Sequence, residues 1–307
     1  MSANTKIEWC HATVNWWAGC TAISPACDNC YAKRMAGRLW GTEWGPGKPR
    51  DQFIGAADAL RALDRKARRL GKPLLVFHNS LSDFFDNEVP VAWRISAIKA
   101  IVDTPNLIHL LLTKRIGNAA VMLEQAFSAV HHQREGWADN VPPNVWLGIT
   151  VVNQEEADRD IPKLLAVPAA KRFLSMEPLL GPVDLRYIDI NGDCEIYPLK
   201  GTTDCVDGDF EPAPDLPAID WVIVGGESGP NARPMHPEWV FDLRDQCAAA
   251  GVPYLFKQWG EYLFDASTAG SIPMPSEQLE HKGTFRRVGK KAAGRMLDGR
   301  TWDGFPS

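Results

Sequence analysis

The apolar positions of the chain fall in short continuous runs. Leu74 to Phe77, Leu107 to Leu112, Val145 to Thr150, Arg172 to Ser175, Trp221 to Val224 and Tyr254 to Phe256 are each too short for a helix. They are also too continuously apolar for a sheet with one wet face, which is the signature of parallel strands buried on both sides. Val91 to Ile101, Gly117 to Val130, Gln154 to Leu165 and Pro237 to Ala250 lie between them as helical stretches. Residues 56 to 70 set Leu60, Leu63, Ala67 and Leu70 at helical spacing, and Gly71 with Pro73 ends that helix. Its run of Arg61, Arg65, Lys66, Arg68 and Arg69 reads as a solvated face. Upstream, Ile7-Glu8-Trp9 and Val14 to Gly19 read as short extended segments. Repeated βα units predict an α/β fold, either a parallel (βα) partial or full TIM-like barrel or an open doubly wound sheet. No G-x-G-x-x-G follows the first strand, so no Rossmann dinucleotide site is predicted.

Polar residues stand immediately after these strands: His78-Asn79-Ser80 with Asp83, Thr113-Lys114-Arg115, Thr150 with Asn153, Met176-Glu177-Pro178, Gly225-Gly226-Glu227-Ser228 and Lys257-Gln258-Trp259. Parallel α/β folds carry their sites at the carboxyl ends of strands, so these loops are expected to ring one mouth. Each residue alone has a plain alternative as a turn or helix cap, with Ser82, Asp86 and Asn153 the clearest cap candidates.

Cys20, Cys27 and Cys30, spaced C-x6-C-x2-C between Gly19 and Tyr31, are the densest chemistry in the chain. Cys27-x-x-Cys30 puts two sulfurs on one turn, and Ser24-Pro25 lets Cys20 fold back toward them. A helix begins near Cys30, whose free amides favour negative charge. Three thiolates can hold an iron–sulfur cluster and leave one iron open. Structural zinc is the rival, with Cys10 or His11 as fourth ligand. Unpaired buried thiols are the third reading, and a disulfide is disfavoured by the lack of a secretion signal and an odd total of seven cysteines.

Composition narrows the picture. The 307 residues, 45% of them hydrophobic, suffice for a sizeable core. The expected organisation is a single domain over residues 1–307, with an acidic, turn-rich insertion at about 184–217 and a basic extension at about 265–307. Cys194 and Cys205 lie in the insertion without neighbours that would make a metal site. The extension carries Arg286, Arg287, Lys290, Lys291, Arg295 and Arg300, readable as a solvated tail or as phosphate contacts. No apolar run approaches the roughly 18 residues of a membrane helix, so the expected location is the cytoplasm, with no membrane partner. The net charge of −5 excludes a surface that is basic throughout but leaves room for a local basic groove.

Taken together, Ile7-Glu8-Trp9, Gly19-Cys20 through Cys30-Tyr31-Ala32, Asn79 to Asp83, Leu112 to Arg115, Trp146 to Thr150, Glu177 to Pro182, Gly225 to Pro230, Lys257 to Gly260 and Gly289 to Arg295 resemble the phage Gp37/Gp68 family, a three-cysteine-motif group similar to radical S-adenosylmethionine enzymes. The resemblance runs nearly end to end. It implies a radical-SAM-like barrel enzyme with a [4Fe–4S] cluster on Cys20, Cys27 and Cys30 and S-adenosylmethionine at the open iron. It departs from the usual C-x3-C-x2-C spacing, and the Gly-Gly-Glu lies late in the chain. On this reading Gly225, Gly226, Glu227 and Ser228 bind the methionine portion, and His78 and Asn79 contact ribose or substrate. Lys114, Arg115 and Gln258 bind substrate, and Glu177 and Lys257 are catalytic. A flavodoxin- or ferredoxin-like electron donor, a nucleotide or nucleic-acid substrate and a partner protein are the implied partners. The alternative is a nucleic-acid-binding protein stabilised by zinc or an iron–sulfur cluster, without catalysis.

Overall fold

The structure, a computed structural model, describes residues 5–131, 136–190, 192, 194–205, 216–265 and 284–307. In chain order the elements are β1 (Ala12–Val14), β2 (Trp17–Ala18), a 3-10 turn (Pro25–Cys27), α1 (Tyr31–Trp40), β3 (Asp51–Gln52), α2 (Ala56–Leu70), β4 (Leu74–His78), α3 (Val91–Val102), β5 (Leu107–Thr113) and α4 (Ile116–His131). There follow β6 (Val145–Thr150), α5 (Gln154–Ala166), β7 (Lys171–Met176), β8 (Ile188–Ile190), β9 (Cys194–Tyr197), β10 (Thr202–Cys205), β11 (Trp221–Gly225), α6 (Pro237–Ala250), β12 (Tyr254–Gln258), β13 (Tyr262–Asp265), β14 (Thr284–Arg287) and α7 (Lys290–Ala293). Ile7-Glu8-Trp9, expected to be extended, is instead a turn closed by the Cys10 amide donating to the Ile7 carbonyl (3.4 Å). Strand pairing begins only at Ala12.

Seven strands form one sheet in the order β1-β4-β5-β6-β7-β11-β12, and every neighbouring pair is parallel. The sheet curls into a half barrel whose edge strands, β1 and β12, do not pair with each other. Period-two alternation sorts the side chains. Val76, Leu111, Leu147, Leu174 and Val224 face the helices and join one large core. Phe77, Leu110, Trp146, Phe173 and Ile223 face inward, where Trp9 and Trp221 complete an aromatic plug. Gly148 interrupts β6 because a Cβ there would lie 2.4 Å from the Phe173 ring. The plug therefore needs a missing side chain on the neighbouring strand.

The free edge of β12 is covered by the C-terminal segment. The Phe256 amide donates to the Trp302 carbonyl (2.9 Å), and the Gly304 amide donates to the Tyr254 carbonyl (3.0 Å). The Trp221 indole donates to the Gly304 carbonyl (2.8 Å). An edge masked in this way cannot template pairing with another chain.

The expected insertion carries a three-stranded antiparallel sheet, β10-β9-β8. Cys194 and Cys205, read from the sequence as having no neighbours for a metal site, face each other across the β9–β10 pair and form a disulfide. Residues 206–215 of the insertion and 266–283 of the basic extension lie outside the described residues. Among the described residues no helix is long and apolar enough to cross a membrane.

Candidate functional site

The cysteine loop runs from β2 to α1 and is tied down at three points. Ser24 accepts the Ala26 amide (3.1 Å), capping the short turn, and its hydroxyl donates to Glu156 Oε1 (2.6 Å). Glu156 is itself fixed at the start of α5, where Asn153 caps the helix by accepting the Glu156 amide (3.0 Å), as the sequence predicted. Arg233 is the second tie. Its guanidinium donates to Glu227 Oε1 and Oε2 (2.7 and 2.9 Å), to Asp28 Oδ2 (2.9 Å) and to the Pro25 carbonyl (2.9 Å). Asn29 adds a bond to Glu227 Oε2 (3.1 Å). The third tie is Arg115, which donates to the Thr21 carbonyl (2.6 Å) and to Cys20 Sγ (3.4 Å). Burial pushes the Cys20 thiol up to about 11 with help from the Asp83 carboxylate, and the Arg115 charge opposes both.

Cys20, Cys27 and Cys30 are free, half-buried and open to one cavity of about 760 Å³. The cavity sits over the aromatic plug at the carboxyl ends of the strands. Of the residues the sequence singled out, Asn79, Lys114, Arg115, Glu177, Gly226, Glu227, Ser228, Lys257 and Gln258 also line it. Glu177, from the end of β7, and Lys257, on β12, form an ion pair within it.

Three expectations are changed by the geometry. His78 does not reach the cavity. It follows Phe77 on β4, so alternation turns its ring to the helix side, where it is fully buried. The Trp16 indole donates to His78 Nδ1 (3.0 Å), and His78 Nε2 meets His109 Nδ1 (3.0 Å). Gly225 and Gly226 do not need a ligand to explain them. A Cβ on Gly226 would lie 2.1 Å from the Trp259 carbonyl oxygen, so this glycine lets the loop after β11 close on the loop after β12, whereas Gly225 packs on Glu177 and Lys257 and does not line the cavity. Glu227 is already occupied by Arg233 and Asn29, which hold its carboxyl below the usual range against the effect of burial. Its first task is bracing the cysteine loop.

The basic C-terminal residues are also largely committed. Arg287 donates to the Gly229 carbonyl (2.8 Å), and Lys290 lies 3.7 Å from Glu8 on the cavity wall. Arg295 pairs with Asp303, and Arg300 stacks 3.7 Å over the Trp302 ring. Of the six basic residues, Lys290 is the one that lines the cavity.

Sequence reasoning passed over Arg233, Trp9 and Tyr31 as parts of this site. Arg233 lies just past the Gly225 to Pro230 motif, and nothing in its neighbours marked it as a brace. Trp9 and Tyr31 belong to two of the motifs but carried no assigned role, and both line the cavity. Three buried polar atoms on cavity-lining residues have no hydrogen-bond partner: Asn79 Nδ2, Gln258 Oε1 and Trp9 Nε1. The orientation of both amides is fixed at their other end. Asn79 Oδ1 accepts the Trp16 amide (2.9 Å), and Gln258 Nε2 donates to the Gly226 carbonyl (3.2 Å). What is left free is therefore two donors, Asn79 Nδ2 and Trp9 Nε1, and one acceptor, Gln258 Oε1. Buried polar groups are almost always satisfied, so free ones on a cavity wall suit a ligand.

Among the described residues no group of three or more His, Cys, Asp or Glu side chains is placed to hold a single metal ion. The three thiols thus do not form a closed mononuclear site. A cluster asks for less, because it offers each thiolate a separate iron and requires only that the thiols face a common space. Cys20, Cys27 and Cys30 line one cavity, and the buried Cys10 thiol, pushed up to about 12 chiefly by burial, does not line it.

Fold and site together define an α/β half-barrel protein with a cysteine-lined cavity at the carboxyl ends of its strands. The chain belongs to the family described as a protein of unknown function (DUF5131), whose model matches residues 4–306. No curated protein and no solved structure matches the chain.

Proposed function

We propose that this protein is an iron–sulfur enzyme of the radical S-adenosylmethionine type. The observation that carries the reading is the presentation of three free cysteines from one braced loop to a single cavity at the carboxyl ends of parallel strands. The resemblance of its motifs to the phage Gp37/Gp68 family points the same way. Cys20, Cys27 and Cys30 would hold a [4Fe–4S] cluster, with one iron left open for S-adenosylmethionine. When bound, these groups supply an electron and a carbon-centred radical able to take hydrogen from a substrate.

The chain's own residues have definite tasks in this scheme. Arg115 sets a positive charge 3.4 Å from Cys20 Sγ and so favours its thiolate form. Arg233 and Glu227 fix the turn that carries Cys27. Asn79 Nδ2 and Gln258 Oε1 offer one donor and one acceptor to a bound ligand. Lys257 Nζ donates to Glu177 Oε1, so in this pair the ammonium holds the proton and the carboxylate is the group that would accept one from substrate. The aromatic plug beneath excludes water from the floor.

Anaerobic reconstitution with iron and sulfide, reduction by dithionite and chromatography for 5′-deoxyadenosine test the proposal. The expected result is about four irons with matching labile sulfide and slow release of 5′-deoxyadenosine. Stoichiometric zinc without labile sulfide would overturn it in favour of a metal-stabilised binding protein.

A further inference from the structure

The cysteine loop has an outer side. Asn29 and Cys30 line the main cavity and also a separate groove of about 420 Å³, whose other walls include Lys33, Arg34, Arg38 and Asn231. All three cations come from α1, which carries no acidic residue, in a chain of net charge −5. Among the described residues these three form no ion pair, whereas Arg50, Arg115, Arg159, Arg233 and Arg287 each hold a carboxylate. Asp28 also borders the groove, but its carboxylate is taken by Arg233 at 2.9 Å. Arg233 is shared with Glu227, so Asp28 stays as one acid against the three cations, and the groove is a concave surface of net positive charge.

The other side of α1 differs in character. Tyr31 and Met35, one helical turn apart, line the main cavity while remaining 50% and 39% exposed. The helix is thus a ridge with cations on one slope and an exposed aromatic and thioether on the other.

We infer that α1 is the rail on which a single-stranded nucleic acid is held: the groove takes its phosphates, and Tyr31 and Met35 carry one base over the ridge into the cavity. Free cations in a groove are the footprint of a phosphodiester backbone, and an exposed aromatic beside them is the usual platform for an unpaired base. An acidic protein would answer the same charge but would leave the concavity and the Tyr31–Met35 path into the cavity without purpose. A duplex fits less well, because its bases reach a cavity only when flipped out. The inference rests on the main cavity being the active site, and it makes a nucleic-acid base the substrate class.

The test is fluorescence anisotropy of a short labelled single-stranded DNA across a salt series, with the iron content of every sample measured in parallel. Wild-type protein should bind at low salt. The Lys33→Ala/Arg34→Ala/Arg38→Ala variant should bind about tenfold or more weakly, with a log–log salt slope shallower by about 2, since each phosphate contact on a single strand contributes about −0.7. An Arg65→Ala/Arg68→Ala/Arg69→Ala variant is the control. Those residues sit near the C-terminal end of α2, which leads into β4 at the opposite end of the half barrel, and their loss should change nothing. Tyr31→Ala should weaken a base-bearing strand and leave an abasic strand unaffected. Equal loss in both triple variants, or displacement of the DNA by polyglutamate at matched charge, would overturn the assignment. Iron-loaded protein that fails to bind sinks the rail alone. Iron-free protein that binds through α1 upholds the rail and counts against the cluster reading instead.

Discussion

His78 and Asn79 are adjacent in sequence and opposite in circumstance. His78, on the helix side of β4, stands in a closed chain of hydrogen bonds. The Trp16 indole donates to His78 Nδ1, so neutral His78 carries its proton on Nε2 and gives it to His109 Nδ1. His109 Nε2 in turn lies 3.2 Å from the Thr104 carbonyl. Every donor in that series has an acceptor. Asn79, one residue later and facing the cavity, keeps a buried amide donor with no acceptor. Buried polar groups that are fully satisfied specify a fold, whereas those left open are held for something else. The contrast separates structural from functional polarity better than nearness to a strand's carboxyl end does, since both residues stand there.

The largest effect should come from the cysteines. Cys20→Ala, Cys27→Ala and Cys30→Ala should each reduce iron and labile sulfide to background, and Cys10→Ala should leave both intact. Loss of iron in Cys10→Ala would mean that the buried thiol is a ligand and that no iron is left open.

Next is the Glu177–Lys257 pair, which is mostly buried. Glu177→Gln leaves the ammonium without its counter-charge and should cost about 3 kcal/mol of stability, read as a lower urea midpoint, along with loss of product formation. Glu177→Leu/Lys257→Met removes both charges and should recover most of the stability and none of the activity. Recovery of activity in the double variant would show that the pair is structural.

The helix-side chain predicts a pH effect of similar size. His109 is pushed down from 6.5 to about 4, and His78 well below its ordinary value, chiefly by burial. The folded state therefore does not take up the protons that the unfolded chain takes up below pH 6.5. Stability should be level above that pH and fall as the pH drops from 6.5 toward 4. His109 alone contributes about 3 kcal/mol of that loss. Thermal melts across this range check it. His109→Gln, which cannot be protonated, should flatten the slope, and an unchanged slope would assign the titration to other groups.

Much of the fold was legible because burial on both faces writes itself into β4, β5, β6, β7, β11 and β12 as continuous apolar runs. The helices between them follow the 3.6-residue period. The cysteines were legible from spacing alone, and Asn79, Glu177, Lys257 and Gln258 from their place at strand ends. Direction was harder to read. His78 and Asn79 differ by one residue in a strand, and which of them faces inward depends on register with β1 and β5, which a single strand does not carry. Arg233 went unread because its partners Pro25 and Asp28 lie about two hundred residues away, and the cysteine loop meets the Glu227–Arg233 loop only in the folded chain. Gly225 and Gly226 look like a ligand motif in one dimension. The backbone that Gly226 makes room for, Trp259, lies over thirty residues away.

The smallest expected change in stability carries the sharpest test of the opening contrast. Gln258→Met keeps the shape of the side chain and removes one weak bond, from Nε2 to the Gly226 carbonyl at 3.2 Å. It also removes an acceptor that has no partner, Gln258 Oε1, whose burial already costs the fold. Loss of the bond and relief of the unsatisfied acceptor oppose each other, so the net change should stay within about 1 kcal/mol. Ligand affinity has no such compensation. If Oε1 is kept open to receive a donor from the bound molecule, the affinity of cluster-loaded protein for S-adenosylmethionine or for the single-stranded DNA should fall by about tenfold, the worth of roughly one hydrogen bond. Calorimetry on both ligands distinguishes which of them the acceptor serves. Unchanged affinity for both, with unchanged stability, would mean that an unsatisfied buried group on this wall marks nothing, and the distinction between His78 and Asn79 would lose its functional meaning.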